Sequence, residues 1–363
     1  MGARESNQAD GIDASSAEFA RFDQVPKPLY QLNEAADGED AFDEEFEFAT
    51  CDLGRYLNGD ADERAAFSQE LGHAIQEIGF AILTGHGIDQ RLFDDADRAV
   101  RDFFTTTPLT SKLDYRAERH GAVSEGYFPI RETSDIHPDL VEGWVFGRRA
   151  FDLDADAAFD VRACWPSAEF EARFRPLVEA ESALFQPIMQ SLLSFLGSDP
   201  HSYDARLAAP NFGLRLNYYP PLSDSDESGK SSRLLGHEDV DLFTLLPAPA
   251  VEGLQVLHRR GKWVRLAAPP GTIILNSGDY LQRISNDLLP STTHRVSRPR
   301  TQALESVARV SFPLAAYLRP DENLEVLPEL AAPKYDPIKV ITFHTRTTAK
   351  FYGADYAVET EGG

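Results

Sequence analysis

From residue 212 onward the apolar residues abandon helical spacing. They fall into short runs whose period approaches two, at 212–219, 241–246, 253–258, 262–266, 271–275, 292–297 and 309–317, broken by Gly, Pro and Asn. Alternation over so few residues makes half-buried strands, because successive side chains of a strand point to opposite faces. A succession of such strands with frequent turn signals predicts a two-sheet antiparallel barrel or jelly roll.

One run carries chemistry. In Leu234-Leu-Gly-His237-Glu-Asp239-Val-Asp-Leu-Phe-Thr-Leu246 a histidine and a carboxylate stand two positions apart at the mouth of an apolar segment. In an extended chain they point the same way, as two ligands of one metal must. His294, in the later run Ser291-Thr-Thr-His294-Arg-Val-Ser-Arg-Pro299, supplies a third. Two histidines and one carboxylate leave coordination positions open, the arrangement of non-haem Fe(II) oxygenases; the bare triplet also arises often by chance. Downstream, Arg309 and Ser311 share one face of a strand, where a guanidinium fork beside a hydroxyl suits a small carboxylate. A surface salt bridge is the bland alternative for Arg309. Leu214-Arg-Leu-Asn217-Tyr-Tyr219-Pro-Pro221 adds polar side chains on another strand, with Tyr219 equally readable as a core tyrosine whose hydroxyl is satisfied.

These segments together resemble the isopenicillin N synthase-like family of Fe(II)- and 2-oxoglutarate-dependent oxygenases. Asn217-Tyr-Tyr-Pro-Pro221, Gly253-Leu-Gln-Val256, Gly261-Lys-Trp-Val264, Gly278-Asp279, Ser285-Asn286, His294-Arg-Val296 and Arg309-Val-Ser311 follow the family's order and spacing, and the likeness covers roughly residues 46 to 355. The resemblance implies a mixed, mainly β fold with a double-stranded β-helix (jelly-roll, cupin-like) core and flanking α-helices. It implies Fe(II) held by His237, Asp239 and His294. It implies 2-oxoglutarate gripped through its distal carboxylate by Arg309 and Ser311, with help from Tyr219 and Asn217, and O2 as the oxidant. The expected activity is a dioxygenase that hydroxylates, desaturates or cyclises a small organic substrate, a natural-product intermediate, releasing succinate and CO2. An oxidase of the isopenicillin N synthase type, using O2 without 2-oxoglutarate, is the main alternative. An ethylene-forming reaction and a non-catalytic sensor are minor ones. Asp239 argues against halogenation, which in related enzymes requires a small residue at the carboxylate position.

The N-terminal half fits the same resemblance. A helix capped by Asp62 is expected to run to Ile78 and stop at Gly79. A strand at Phe80–Leu83, a turn at Gly85-His-Gly-Ile88 with a structural His86, and a helix from Asp89 follow. Tyr127, Arg131 and Phe146 lie where the family approaches its substrate. Residues 167–196 form an apolar helical stripe that Pro176 and Pro187 should kink or divide. A final helix within 336–353 can close over the site mouth and bring Phe343 or His344 near substrate. The expected division is an acidic, mobile extension at 1–45, a bracing region at 46–200, the jelly-roll core at 201–330, and a C-terminal helix and tail at 331–363. The stretch Ser223–Ser232 is read as a rim loop.

Composition excludes some partners. With 35 Lys and Arg against 59 Asp and Glu, a net charge of -24 disfavours nucleic acid and anionic membrane faces. Two distant cysteines make no disulfide framework. No apolar stretch approaches a membrane span, and the first residues lack a secretory core. A monomeric cytoplasmic enzyme acting on a small molecule is the expectation.

Overall fold

The computed structural model describes residues 20–27, 29, 34, 40–151, 164–223 and 233–360. The elements that frame the site are, in chain order, β1 (Thr50–Asp52), α1 (Ala61–Ile78), β2 (Phe80–Thr84), α2 (Gln90–Thr106), β3 (Glu118–His120), β4 (Val123–Phe128) and β5 (Glu142–Gly147). Then come α3 (Ala168–Ser182), α4 (Phe185–Phe195), β6 (Asn211–Tyr219), β7 (Leu234–His237), β8 (Phe243–Pro247), β9 (Leu254–His258) and β10 (Lys262–Leu266). The series ends with β11 (Ile273–Ser277), α5 (Asp279–Ile284), β12 (His294–Val296), β13 (Arg309–Ser311), β14 (Leu314–Tyr317) and α6 (Val340–Tyr352).

Two ladders organise the chain. The larger has the order β1-β2-β11-β8-β14-β6-β5-β4-β3, with β13 also paired to β6; the smaller has the order β10-β9-β12-β7. No strand pair joins the two among the described residues, so the expected barrel is an open pair of sheets. The outer face of the large sheet packs on the helices through residues such as Leu214, Leu216, Leu245 and Phe243, against Leu71, Phe185 and Phe104. Part of the inner face, at Leu246 and Ile274, packs on Leu254, Val256 and Val264 of the small sheet, and another part, at Arg215 and Thr244, faces the site.

The helices begin and end for local reasons. Asp60, not Asp62, caps α1: its carboxylate accepts from the backbone N–H groups of Asp62 and Glu63, while Glu63 accepts from the Asp60 N–H, a reciprocal capping box. Gly79 ends the helix at φ 75°, a left-handed conformation that a Cβ would penalise. The apolar stripe at 167–196 divides at Ala183–Leu184, between the two prolines; Pro176 stays inside α3. The run 309–317 is likewise two strands: β6 pairs with β13 and then with β14, and the break at Phe312–Pro313 lets the Pro313 carbonyl accept from Arg215 N–H at 3.0 Å.

The acidic extension departs from expectation where it is described. Val25 is buried in the core, Lys27 pairs with Asp279, and Gln282 donates to the Pro26 carbonyl at 3.1 Å. Ala41 and Asp43 exchange backbone hydrogen bonds with Trp263, while Arg295 pairs with Asp40 at 2.6 Å. Charge composition alone gave no hint of these partners, because each is a single side chain or backbone group waiting on the body. Most of the 223–232 loop lies outside the described residues.

Candidate active site

The two histidines meet because β7 and β12 are antiparallel neighbours with His237 directly opposite His294. Their ring centroids are 4.4 Å apart. Asp239 follows the end of β7, and its Oδ1 lies 3.7 Å from His237 Nε2 and 3.9 Å from His294 Nε2. One donor atom from each residue falls within 4.8 Å of the others.

Each ligand is oriented by an outer partner. His237 Nδ1 donates to the Leu235 carbonyl at 2.9 Å and His294 Nδ1 to the Thr292 carbonyl at 3.1 Å. Both Nε2 lone pairs are thereby left for a metal. Asp239 Oδ2 accepts from Thr244 Oγ1 and Asn276 Nδ2, both at 2.8 Å, leaving Oδ1 towards the imidazoles. Thr244 and Asn276 face each other across β8 and β11, so one cross-strand pair fixes the carboxylate. Burial, then the neighbouring His294, pushes His237 down to about 4, so it is neutral as a ligand must be. Burial would raise the Asp239 carboxyl, but His294, His237 and the two hydrogen bonds outweigh it and hold it below the usual range. Two imidazoles and a carboxylate with one face open fit a divalent iron.

The backbone around Asp239 is crowded. The Asp279 N–H at the start of α5 donates to the Asp239 carbonyl at 2.8 Å, and a Cβ on Gly278 would stand 2.0 Å from Asp241 Oδ1. Glu238, between the ligands, is fully buried; it accepts from Thr293 Oγ1 and pairs with Lys350 of α6 at 3.0 Å. Lys350 also pairs with Asp23 at 2.8 Å. The extension, α6 and both ligand-bearing strands thus share one buried ionic network.

A cavity opens in front of the triad. His237 and Asp239 line it, and its wall is the inner face of the large sheet. Arg215 stands opposite Val145, and Ala315 opposite Thr244, and all four line the cavity. On the same face of β6, two and four residues on, come Asn217 and Tyr219, paired to Ser311 and Arg309. Arg215 Nε donates to Asn217 Oδ1 at 2.9 Å, and Asn217 Nδ2 lies 3.4 Å from Ser311 Oγ. Arg309 is buried, its guanidinium carbon 4.9 Å from the Tyr219 ring centroid; Arg309 Nε donates to the Val251 carbonyl at 3.2 Å. Tyr219 packs with Val296 and Leu234, one strand pair from the histidines. The triad and the Arg309–Ser311 pair are therefore adjacent.

The weaker substrate candidates lie elsewhere. Tyr127 is buried among aromatic rings, its hydroxyl donating to Glu142 at 2.6 Å; Phe146 stacks on Trp165 with centroids 3.7 Å apart. Their strand neighbours Phe128 and Val145 line the cavity instead. Arg131 is exposed at φ 64°. Phe343 packs on Tyr280, and it is His344 that lines the cavity, accepting from Tyr280 O–H at 2.8 Å, with burial pushing its pKa down to about 4. Sequence reasoning passed over Arg215, Thr244, Asn276, Asp139 and Tyr317. Arg215 could have been found from the period of two, counted back from Asn217. Asp139, which accepts from Leu235 N–H at 2.8 Å and ties a loop to β7, left no such signal.

Residues 210–314 match the 2OG-Fe(II) oxygenase superfamily, and residues 49–168 match the N-terminal region described as non-haem dioxygenase in morphine synthesis. A proline hydroxylase of Petromyces alliaceus is 30% identical over 324 residues, which cover 81% of this chain and 99% of that protein. The chain belongs to the 2OG-Fe(II) oxygenase superfamily. A 2-oxoglutarate-Fe(II) type oxidoreductase of Metarhizium majus is 27% identical over 335 residues, covering 84% of this oxygenase and 88% of the relative. A full-length Neurospora crassa protein, solved in complex with alpha-KG and thymine, superposes with a TM-score of 0.74 over 87% of this chain and all of that one; at 24% identity the likeness concerns the jelly-roll fold. The oxygenase is an Fe(II)- and 2-oxoglutarate-dependent dioxygenase with O2 as its cosubstrate, and its His-Asp-His triad is the iron site. Among the described residues no helix is long and apolar enough to cross a membrane.

Proposed function

We propose that this dioxygenase oxidises a C–H bond of a small organic acid, an amino-acid-derived or similar natural-product intermediate, whose carboxylate is read by Arg215. The observation that carries the reading is the position of that arginine. Among the described residues it is the sole Arg or Lys lining the cavity, its Nε held by Asn217, and the acids around it are engaged or neutral. Asp139 accepts from His137, Thr133 and Leu235 N–H, Glu238 is paired with Lys350, and burial raises the Asp241 carboxyl well above its usual value. A guanidinium beside a cavity whose acids are already engaged suits an anionic ligand. The rest of the wall is supplied by Phe128, Val145, Phe351, Tyr352 and Tyr317, which suits an apolar body. The Petromyces relative is named for proline, itself a small amino acid.

In this reading His237, Asp239 and His294 hold Fe(II), and Arg309 and Ser311, with Tyr219 and Asn217, hold the distal carboxylate of 2-oxoglutarate. When bound, iron, 2-oxoglutarate and O2 together supply the oxidising power, with release of succinate and CO2. The protein's own part is placement. Asn276 and Thr244 keep Asp239 aimed at the two histidines, Arg215 anchors the substrate, and α6 covers the cavity with His344, Thr348, Phe351 and Tyr352. The facing sheets supply the double-stranded β-helix frame on which these groups sit.

The test is a screen by succinate release with small amino and oxo acids and their methyl esters. Acids should stimulate turnover and esters should not. With the best acid, Arg215→Met should raise KM on the order of tenfold or more, while leaving 2-oxoglutarate affinity unchanged. Equal stimulation by esters would sink the carboxylate reading; a selective loss of 2-oxoglutarate affinity would move Arg215 to the cosubstrate.

A further inference from the structure

Two buried arginines lie close to Tyr219, and only one of them belongs to the motif Arg309-Val-Ser311. Arg233 and Arg309 are each 1% exposed. Arg309 spends its Nε on the Val251 carbonyl, and its Nη1 has no partner among the described residues. Arg233 is barer still: Nε, Nη1 and Nη2 all lack a hydrogen-bond partner there. Arg233 immediately precedes Leu234, which is paired with Val296 and packs with Tyr219; Arg309 lies over that same tyrosine ring.

An unsatisfied guanidinium in the interior is costly, because its desolvated N–H groups forfeit water without gaining an acceptor. The acid whose charge reaches Arg233, Glu305, lies by Arg298 instead, at 3.8 Å. Burial and the charge of Arg309 push Arg233 down to about 10, so the two cations act on each other. Four bare nitrogens, three on one arginine and one on the other, are donors in search of one acceptor group. A carboxylate has two oxygens and about four lone-pair sites, enough to take bonds from two forks at once.

We propose that Arg233 is a second guanidinium for the distal carboxylate of 2-oxoglutarate, acting together with Arg309. The inference rests on the assignment of Arg309 and Ser311 to the cosubstrate. It makes the chain more selective for a 2-oxo diacid than one arginine would, and it explains why a buried cation is kept beside another.

The experiment compares 2-oxoglutarate with 2-oxopentanoate, which has the same chain length but no distal carboxylate. Each is titrated anaerobically into the Fe(II)-loaded full chain, following the visible charge-transfer band of a chelated 2-oxo acid. Arg233→Met should weaken 2-oxoglutarate binding by about 10- to 100-fold, the range of a charge-assisted hydrogen bond, and leave 2-oxopentanoate within about twofold. Arg309→Lys serves as the reference and should also act on 2-oxoglutarate alone. In a second readout without iron, glutarate should raise the melting temperature of the wild-type chain and lose that effect in Arg233→Met. Should the methionine variant fail to fold, Arg233→Lys keeps the charge and loses the fork, and a smaller loss of the same selectivity is expected. Unchanged selectivity in the folded variants overturns the role of Arg233 while leaving that of Arg309 standing. A wild-type chain that forms no band with 2-oxoglutarate overturns the cosubstrate reading and the inference together.

Discussion

The metal triad and the proposed carboxylate grip lie one strand pair apart, yet they are built on opposite principles. Around the metal, every outward-facing polar atom is already committed: both Nδ1 atoms to carbonyls, and Asp239 Oδ2 to two donors. The ligands are aimed before any ion arrives, so geometry costs little at the moment of binding. Around the proposed carboxylate grip, by contrast, Arg309 and Arg233 keep N–H groups that have no hydrogen-bond partner among the described residues. On that proposal an anion completes this end, and its binding should be worth more to the fold than its contacts suggest. A preorganised pole thus selects by shape, and an unsatisfied one selects by charge.

The largest effect expected from breaking this contrast is at Asp239. Asp239→Gly removes the single ligand that faces both imidazoles and strands Thr244 and Asn276. Turnover should fall on the order of 10³-fold, since the metal's contribution is several kcal/mol. Added chloride should not restore oxygenation. Iron content after gel filtration and succinate release check this, and undiminished turnover would remove Asp239 from the triad.

How far this contrast could be read from the chain depends on whether a residue acts through its own period or through a distant partner. His237, Asp239, Arg309 and Ser311 were legible because a two-residue spacing on a strand already says which way a side chain points. The same period explains the misplacement of Tyr127 and Phe146: each is one residue away from a side chain that does line the cavity, and in a strand one residue is the opposite face. Phe343 misses the cavity on a helix, where the next residue, His344, is turned by about 100°. Arg233 was not legible, since its significance is the absence of partners, which exists only once the fold buries it. Nor was Lys350, whose two acids come from residues 23 and 238.

That lysine gives the second prediction, on stability. Lys350→Met leaves Glu238 and Asp23 buried without their cation. Removing one partner of a buried ion pair costs about 3–5 kcal/mol. A denaturant melt should show that loss, and iron affinity should fall with it because Glu238 sits between two ligands and Thr293 precedes the third. A fall in stability with intact iron affinity would confine the network to docking α6 and the extension.

The smallest effect tests the carboxylate end from its neutral side. Ser311 Oγ is buried beside Asn217 Nδ2 and, on the proposed reading, adds one uncharged donor to a pocket whose charge comes from guanidinium. Ser311→Ala should therefore weaken 2-oxoglutarate binding by about 1 kcal/mol, roughly fivefold, with iron content unchanged. If charge dominates that pole, the serine variant must cost less than either arginine variant in the same charge-transfer titration. A loss at Ser311 equal to that at Arg309 would mean that the pocket is held together by a connected hydrogen-bond network through Asn217 and Arg215, and that selection there is by geometry after all.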